Sequence, residues 1–260
     1  MTWIKQTHDQ PLFPDLLWSR PERRDQAGKL LIIGGNLHGF SAPAEAFRSA
    51  HAAGIGTSRV VIPNALKRTL REILPEAQYS PSTPSGSFAR GALSDWEEGS
   101  AWADAALLAG DFGHNSETAL LLENFVAKHA GMLIVCQDAV EYFLARPDTI
   151  THRPQTLLVL SMGQLQKLAH GLHSTTPVTQ TMGLPDLTSW LADFTLTHPI
   201  VVLTKHLDHL VVAYKGSVST TPATMGLQPW RVRAGATASV WWLQHPTKPL
   251  ESITSGILDL

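Results

Sequence analysis

Cysteine is nearly absent from this sequence: Cys136 is the single one among 260 residues. A disulfide within the chain is therefore excluded, and so is a zinc site built on cysteine pairs. Cys136 ends the apolar run MLIVC at 132–136. That setting predicts a buried, inert thiol rather than a catalytic nucleophile.

Clusters of basic residues and long apolar runs are also missing. The formal net charge is -2 and no Lys/Arg run occurs, so nothing indicates a nucleic-acid or anionic-membrane partner. No window holds about 18 uninterrupted apolar residues, which a membrane helix would need. The N-terminal MTWIKQTHDQPLF lacks the apolar region of a signal peptide. We therefore expect a cytoplasmic protein.

Several catalytic signatures are missing as well. The sequence contains neither H-E-x-x-H nor G-x-S-x-G, so zincin and α/β-hydrolase interpretations have no basis. The twelve histidines are scattered. The closest grouping, at 205–209, lies where a strand meets a hairpin, and we expect exposed turn residues there rather than a metal site.

One glycine-rich loop comes close to a phosphate-binding motif. Residues 34–41 read GGNLHGFS, but Phe40 stands where a P-loop requires lysine. Asn36 replaces the second glycine of a dinucleotide fingerprint. The loop still predicts tight turns that bring backbone amides at a helix N-terminus close to a ligand. Glycines that serve the turn alone are an equally good interpretation.

What the sequence does contain is a repeated alternation of strands and helices. Lys29–Ile33 reads as a buried strand, a helix begins near Ser41 and ends at Gly54, and Arg59–Ile62 is the next strand. Such a unit starts a parallel sheet. Further strands are expected at 103–108, 132–136, 156–160, 200–204, 209–214 and 217–220, and further helices at 65–74, 116–129, 163–170, 186–194 and 234–243.

This alternation predicts one domain over residues 1–260, an α/β protein with a three-layer α/β/α sandwich and an edge hairpin. Residues 1–28 read as a lead-in segment packed on it. Ligands of such sheets bind outside the carboxyl ends of the strands. The loops at 34–39, 110–113, 137–140 and 161–164 should therefore surround one cleft.

Five segments carry a family resemblance. They are GKLLIIGGNLHGFSAPA at 28–44, SAHAAGIG at 49–56, DAALLAGDFGHNSET at 104–118, CQDAV at 136–140 and VVLTK at 201–205. Together they resemble the ribokinase-like superfamily, specifically the carbohydrate-kinase-related domain of ADP/ATP-dependent NAD(P)HX (NAD(P)H-hydrate) dehydratases. The similarity extends over nearly the whole chain from about Leu17.

The resemblance implies a ribokinase-like fold with two ligand sides. On the substrate side it implies Gly39, Ala44, Gly113 and Asp138. On the nucleotide side it implies Thr204, Lys205, Arg231, Arg233 and Gly235. ATP or ADP with Mg²⁺ would be the implied ligands, without a tightly bound metal, and a homo-oligomer is compatible with the family.

The sequence departs from the family where catalysis depends on it. The family's H-P-G-E loop is replaced by SMGQ at 161–164, and its G-x-G-D motif, with the catalytic aspartate, by PWRVRAGATAS at 229–239. No aspartate lies near Arg233, so the resemblance implies no catalytic residue. An acid from elsewhere, such as Asp138 or Asp208, would have to serve as the base.

Three interpretations follow from this departure. The first is a divergent, catalytically impaired homologue with a nucleotide- or NADHX-type cleft. The second is an active ADP/ATP-dependent dehydratase or related small-molecule kinase with a relocated catalytic group. The third is a non-enzymatic interaction protein, for which Trp230, Trp241 and Trp242 are a candidate interface.

Overall fold

The computed structural model describes residues 2–72, 74, 76–223, 230–258 and 260. Its ten described strands form one sheet in the order β1-β10-β9-β8-β7-β6-β5-β2-β3-β4. The strands are β1 (Thr2–Lys5), β2 (Lys29–Gly34), β3 (Thr57–Pro63), β4 (Ala77–Ser80), β5 (Ala105–Gly110), β6 (Met132–Val135), β7 (Thr156–Leu160), β8 (Val201–His206), β9 (His209–Tyr214) and β10 (Ser217–Pro222).

The sheet is parallel apart from β9. That strand pairs antiparallel with both β8 and β10 and so forms the predicted hairpin. The central strands are buried on both faces: Leu30 to Ile33 of β2 have no exposed surface, as expected for a parallel sheet covered by helices.

Helices cover both faces of the sheet. They are α1 (Pro14–Trp18), α2 (Ser41–Ala52), α3 (Lys67–Leu70), α4 (Leu93–Trp102), α5 (Ser116–Lys128), α6 (Asp148–Thr151), α7 (Met162–Gly171), α8 (Leu184–Thr197), α9 (Trp230–Gln244) and α10 (Pro249–Gly256). Helices α2, α9 and α10 share one apolar core with the sheet. Helices α4, α5, α7 and α8 share the other. The predicted three-layer α/β/α fold is confirmed.

Helix α9 lies unusually close to the sheet because its inner face carries small residues. An added Cβ atom at Gly235 would lie 2.4 Å from Cys136 Sγ and 3.3 Å from Val159 Cγ2. Only glycine fits this close approach without displacing a neighbour. Gly235 therefore serves packing between α9 and the strands β6 and β7.

Several elements differ from the predicted ones. The lead-in segment contributes β1, which pairs parallel with β10 and is the outermost strand, so the hairpin lies one strand inside the edge. Strand β4 and helices α4 and α10 were not predicted. The helix expected at 65–74 is a 3₁₀ turn, Asn64–Leu66, followed by α3; residues 73 and 75 lie outside the described residues.

The helix expected at 234–243 begins earlier than predicted, because α9 already includes Trp230, so Arg231 and Arg233 are helical residues. Pro229, the first residue of the substituted motif, lies outside the described residues. Among the residues that the structure describes, no helix combines the length and apolar composition needed to cross a bilayer. The extent of a single domain over 1–260 stays a prediction.

Candidate functional site

A cleft lies at the carboxyl ends of β5, β6 and β7, where ligands of parallel sheets bind. Its volume is about 450 Å³. Its lining residues are His114, Gln137, Asp138, Glu141, Ser161, Gln164, Lys167 and Arg231. The predicted loops at 137–140 and 161–164 therefore meet at one site, and the first turn of α9 joins them.

Gln164 connects three parts of this cleft. With Ser161 it forms a capping box at the start of α7, in which each side chain accepts a hydrogen bond from the other residue's backbone amide. Gln164 Nε2 donates to the Gln137 carbonyl over 2.7 Å. Arg231 Nη1 donates to Gln164 Oε1, also over 2.7 Å. The amide of Gln164 thus fixes the guanidinium of Arg231 relative to α7.

Asp138 has one satisfied and one unsatisfied carboxylate oxygen. Its Oδ2 accepts a hydrogen bond from the Gly113 amide over 3.1 Å. Its Oδ1 is buried and has no hydrogen-bond partner among the described residues. Burial raises the pKa of Asp138, and the charge of Asp111 raises it further, against the opposing effect of backbone hydrogen bonds. A carboxyl group with these properties in a cleft is a candidate acid/base group.

Two cations line the cleft, Lys167, which pairs with Glu141, and Arg231. Burial lowers the pKa of this guanidinium, whereas Cys136, Glu141 and Asp138 raise it. Arginine stays charged at neutral pH in any case. The first turn of α9 contains no acidic residue, so this turn contributes a cation and no carboxylate to the cleft.

The start of α2, directly after the GGNLHGFS loop, is hydrogen-bonded to an acidic side chain of the same chain. Asp111 Oδ2 accepts hydrogen bonds from the Ala42 amide over 2.7 Å and from the Ser41 hydroxyl over 3.2 Å. Ser41 is the first residue of α2, as predicted, and Phe40 holds the cap position without a side-chain bond. An internal carboxylate satisfies the start of α2 from the neighbouring loop.

Asn36 completes the contact between these two loops. Its Nδ2 donates to the Asp111 carbonyl over 2.5 Å, and its Oδ1 accepts from the His38 amide over 2.7 Å. Asn36 and Gly39 also exchange two backbone hydrogen bonds. Together with the bond between Gly113 and Asp138, these contacts link the loops after β2, β5 and β6.

The four predicted substrate-side residues do not all lie at one place in the structure. Gly113 and Asp138 are in contact. Gly39 lies beside the Asp111 side chain. Ala44 lines a separate apolar cavity of about 30 Å³ under α2. Their role toward a substrate stays a prediction.

The five predicted nucleotide-side residues are also separated. Only Arg231 lines the cleft. Thr204 is fully buried and its hydroxyl donates to the Leu160 carbonyl over 2.9 Å. Gly235 is buried against Cys136, and Arg233 lines a second cavity, between α2 and α9. Lys205 is half-buried at the end of β8.

Sequence reasoning missed Glu141, Lys167 and His114 as lining residues. Glu141 lies one turn beyond Asp138 in the 3₁₀ helix Gln137–Phe143 and pairs with Lys167 over 2.9 Å. This helical spacing is the only signal in the sequence that could have placed Glu141 beside the site. Asp208, the other candidate acid, is exposed in the β8–β9 turn and does not line the cleft.

The described residues contain no group of three or more histidine, cysteine, aspartate or glutamate side chains that could hold a metal ion. Mg²⁺ is commonly held by one or two carboxylates together with substrate phosphates. The unpartnered Oδ1 of Asp138 is an oxygen donor of that kind. The cleft thus contains one oxygen donor of the kind that a magnesium ion uses, and that oxygen is buried.

No family model and no curated protein sequence matches the chain. Solved structures do match. A ribokinase-like superfamily protein from Enterococcus faecalis V583 is 16% identical, with a TM-score of 0.74, over 98% of this chain and 85% of that chain. The ADP/ATP-dependent NAD(P)H-hydrate dehydratase from Bacillus subtilis, co-crystallized with ATP/Mg²⁺, is 13% identical, with a TM-score of 0.64, over 91% and 79% of the two chains.

A phosphomethylpyrimidine kinase from Clostridium difficile 630 is 12% identical, with a TM-score of 0.51, over 88% of this chain and 97% of that chain. These proteins share the ribokinase-like fold with this chain. The resemblance stated from the sequence is therefore confirmed for the fold.

Proposed function

We propose that this chain is a divergent NAD(P)H-hydrate dehydratase-like protein that binds a nucleotide-type, phosphorylated ligand in the cleft of Asp138 and Arg231. We propose further that it turns such a ligand over weakly or not at all. The observation that carries this proposal is Arg231, a cation held in the cleft at the start of a helix whose first turn has no acid. Structural neighbours that include a dehydratase co-crystallized with ATP/Mg²⁺ support the ligand class.

The chemistry explains why this protein would keep ligand binding while losing catalytic turnover. Phosphoryl transfer needs a base for the attacking hydroxyl, and donors or metal ions that stabilise the phosphate charge. Arg231 suits the second task because a guanidinium binds phosphate oxygens bidentately. It cannot perform the first at neutral pH. Losing a general base typically lowers the rate by about 10²- to 10⁴-fold.

Mg²⁺ would supply a further positive charge for the ligand phosphates. Within the chain, Asp138 is the residue that would hold it, through the oxygen that has no other partner. Glu141 is less suited because Lys167 already neutralises it. Arg231 would then hold one phosphate group directly, and Asp138 would hold the cation that neutralises it. A cytoplasmic location and a homo-oligomer stay predictions.

A second candidate function is an active dehydratase or small-molecule kinase with Asp138 as the relocated base. The raised pKa of Asp138 and its unpartnered Oδ1 favour it, since a base works best with a pKa near the operating pH. The interaction-protein interpretation loses its main observation. Trp241 and Trp242 are only 6% and 3% exposed, so they are core residues rather than a surface patch.

Calorimetry with ATP, ADP and NADHX, followed by a dehydration assay, separates these functions. We expect wild type to bind a nucleotide and Arg231→Gln to bind it about 10- to 100-fold more weakly, the loss expected for one charge-assisted hydrogen-bond pair. Arg90→Gln removes the same charge from the opposite helical layer, where Arg90 is exposed, and should bind like wild type.

The assay decides between the two enzymatic states. Robust turnover that is abolished in Asp138→Asn would overturn the impaired-homologue proposal in favour of the active enzyme. Absence of nucleotide binding in wild type would overturn both. Binding without measurable turnover, lost in Arg231→Gln, is the result that we expect.

A further inference from the structure

A cavity of about 610 Å³ lies between the end of α7, the loop at 172–177 and helix α8. It is larger than the cleft of Asp138 and Arg231, and no residue lines both. Its volume falls in the range of small-molecule sites, about 300–1,000 Å³. This cavity is therefore large enough for a ligand of its own.

Two carboxylates, those of Asp186 and Asp193, line this cavity, and none of the described residues that line it is a lysine or an arginine. Both aspartates are exposed. Neither carboxylate forms an ion pair or a hydrogen bond with any residue that the structure describes. Within the described chain the cavity therefore presents negative charge without a counter-ion.

The two aspartates lie on the same side of α8. Positions 186 and 193 are almost two full turns apart, about 10 Å along the helix axis. Carboxylates with this separation cannot share one metal ion, because the ligands of such an ion lie within about 2.6 Å of it. An elongated ligand with a positive charge at each end can contact both carboxylates.

Aromatic side chains form the cavity wall between the two carboxylates. Trp190 lies one helical turn from each aspartate, and it stacks on Phe194 with the ring centroids 4.9 Å apart. Its indole Nε1 donates to the Ser174 hydroxyl over 3.0 Å, which ties the ring to the loop at 172–177. Trp190 and Phe194 are only 7% and 8% exposed. The wall is therefore apolar and held in place by packing.

Each end of this wall also offers a hydroxyl oxygen. Ser189 lies one turn beyond Asp186, and Thr197 lies one turn beyond Asp193; both line the cavity. An ammonium group donates up to three hydrogen bonds and accepts none. A carboxylate together with a hydroxyl oxygen therefore suits an ammonium group better than either acceptor alone does.

We propose that this cavity binds an aliphatic diamine or polyamine, with one ammonium group at Asp186, a second at Asp193 and the methylene chain along Trp190. The two carboxylates match a ligand with two positive charges, and their spacing matches charges at its two ends. The aromatic wall gives the chain an apolar contact, as apolar surfaces do for the methylene stem of a lysine. A lone ammonium group would satisfy only one end of the cavity.

Calorimetric titration at low ionic strength with two dications, octamethylenediamine and the shorter putrescine, tests the proposal. Only the longer diamine can reach both carboxylates at once. We expect wild type to bind it about 5- to 10-fold more tightly than putrescine, the gain from one further ammonium–carboxylate contact. Asp186→Asn and Asp193→Asn should each lose this preference, whereas Asp193→Glu should keep most of it. Added salt should weaken binding because it screens exposed charges.

Asp15→Asn is the matched control. It makes the same change in net charge at an exposed residue of α1, a helix that contacts α10 in the opposite layer, and should bind both diamines like wild type. Thermal unfolding without ligand checks that each variant is folded. Asp193→Asn should also bind nucleotide like wild type, so this proposal and the proposed function can fail independently.

Four results would overturn the polyamine site. The first is that wild type does not bind octamethylenediamine. The second is an equal loss in Asp193→Asn and Asp15→Asn, which would reduce the effect to net charge. The third is a preference for the longer diamine that survives in both aspartate variants, which would leave only an apolar groove. The fourth is binding of tetralysine without binding of the diamine, which would assign the cavity to a basic peptide.

Discussion

The carboxylate of Asp111 accepts a hydrogen bond from the backbone amide of Ala42 over 2.7 Å. This places an acidic side chain from the loop after β5 at the first turn of α2. Helix N-termini attract anions because their amides are unpaired and the helix dipole is positive there. In this chain the side chain of Asp111 supplies the anion at that helix, so the amide of Ala42 is satisfied from within the protein.

The first prediction concerns this cap. Asp111→Ala should lower the free energy of unfolding by about 1 to 2 kcal/mol, the usual loss for a capping side chain. Asp111 also has a positive φ of 60°, which asparagine tolerates better than alanine does. Asp111→Asn, which keeps an acceptor oxygen, should therefore lose less in urea denaturation. An unchanged stability of Asp111→Ala would contradict the capping role.

The second prediction concerns the contact between α9 and the sheet. Gly235→Ala should cost about 1 to 3 kcal/mol, as overpacking of a core does, because the new Cβ would lie 2.4 Å from Cys136 Sγ. Cys136→Ala in the same chain removes that sulfur and should restore part of the loss. Guanidinium denaturation of the two single variants and the double variant measures this coupling.

Gly163 provides the matched control for Gly235. It lies in α7, and an added Cβ atom would find its nearest neighbours only at 4.0 Å. Gly163→Ala should therefore leave stability unchanged or raise it by up to about 1 kcal/mol through helix propensity. Equal losses at the two glycines would show that the sulfur contact does not limit the packing of α9.

The sheet could be predicted from the sequence because its central strands are continuous apolar runs such as LLII of β2, closed by glycines. Local pattern suffices for such strands. Strand β1 could not be predicted in this way. Its short segment, TWIK, is a strand only because β10 lies beside it, 215 residues later in the chain.

The cavities lined by Arg231 and by Arg233 show a second limit of local reasoning. The family resemblance assigned Arg231 and Arg233 to the same nucleotide side. Because α9 begins at Trp230, the two side chains are two helical positions apart, about 200° around the axis. They therefore line different cavities. The capping of α2 by Asp111 likewise could not be predicted from local sequence, because the two partners are 69 residues apart.

The third prediction concerns the thiol of Cys136. The side chain has no exposed surface, and burial raises its pKa to about 12. Only the thiolate reacts with alkylating agents. We expect native protein to resist iodoacetamide at pH 8 while urea-unfolded protein is alkylated once, as measured by intact mass. Native alkylation at the rate of a free thiol would contradict the buried setting.

The last prediction concerns the pH dependence that Asp138 introduces. Burial raises the pKa of Asp138, and the nearby Asp111 adds to this effect. The folded chain therefore binds this proton more tightly than the unfolded chain does. The stability from protonation is fully present below the ordinary pKa of the carboxyl group and is lost as pH rises through the raised pKa. Above its raised pKa, Asp138 is thus a destabilising group.

Asp138→Asn removes that ionisation and should be more stable than wild type at pH 7, with the difference shrinking as pH falls toward 4. Urea denaturation at several pH values measures it. Asp193→Asn, which removes an exposed carboxylate of α8, is the matched control for net charge and should show a smaller difference at pH 7. If Asp138→Asn were instead less stable at pH 7 than at pH 4, relative to wild type, the carboxylate would be stabilised by a partner. The assignment of Asp138 as an acid/base candidate would then fail, because it depends on Oδ1 having no hydrogen-bond partner.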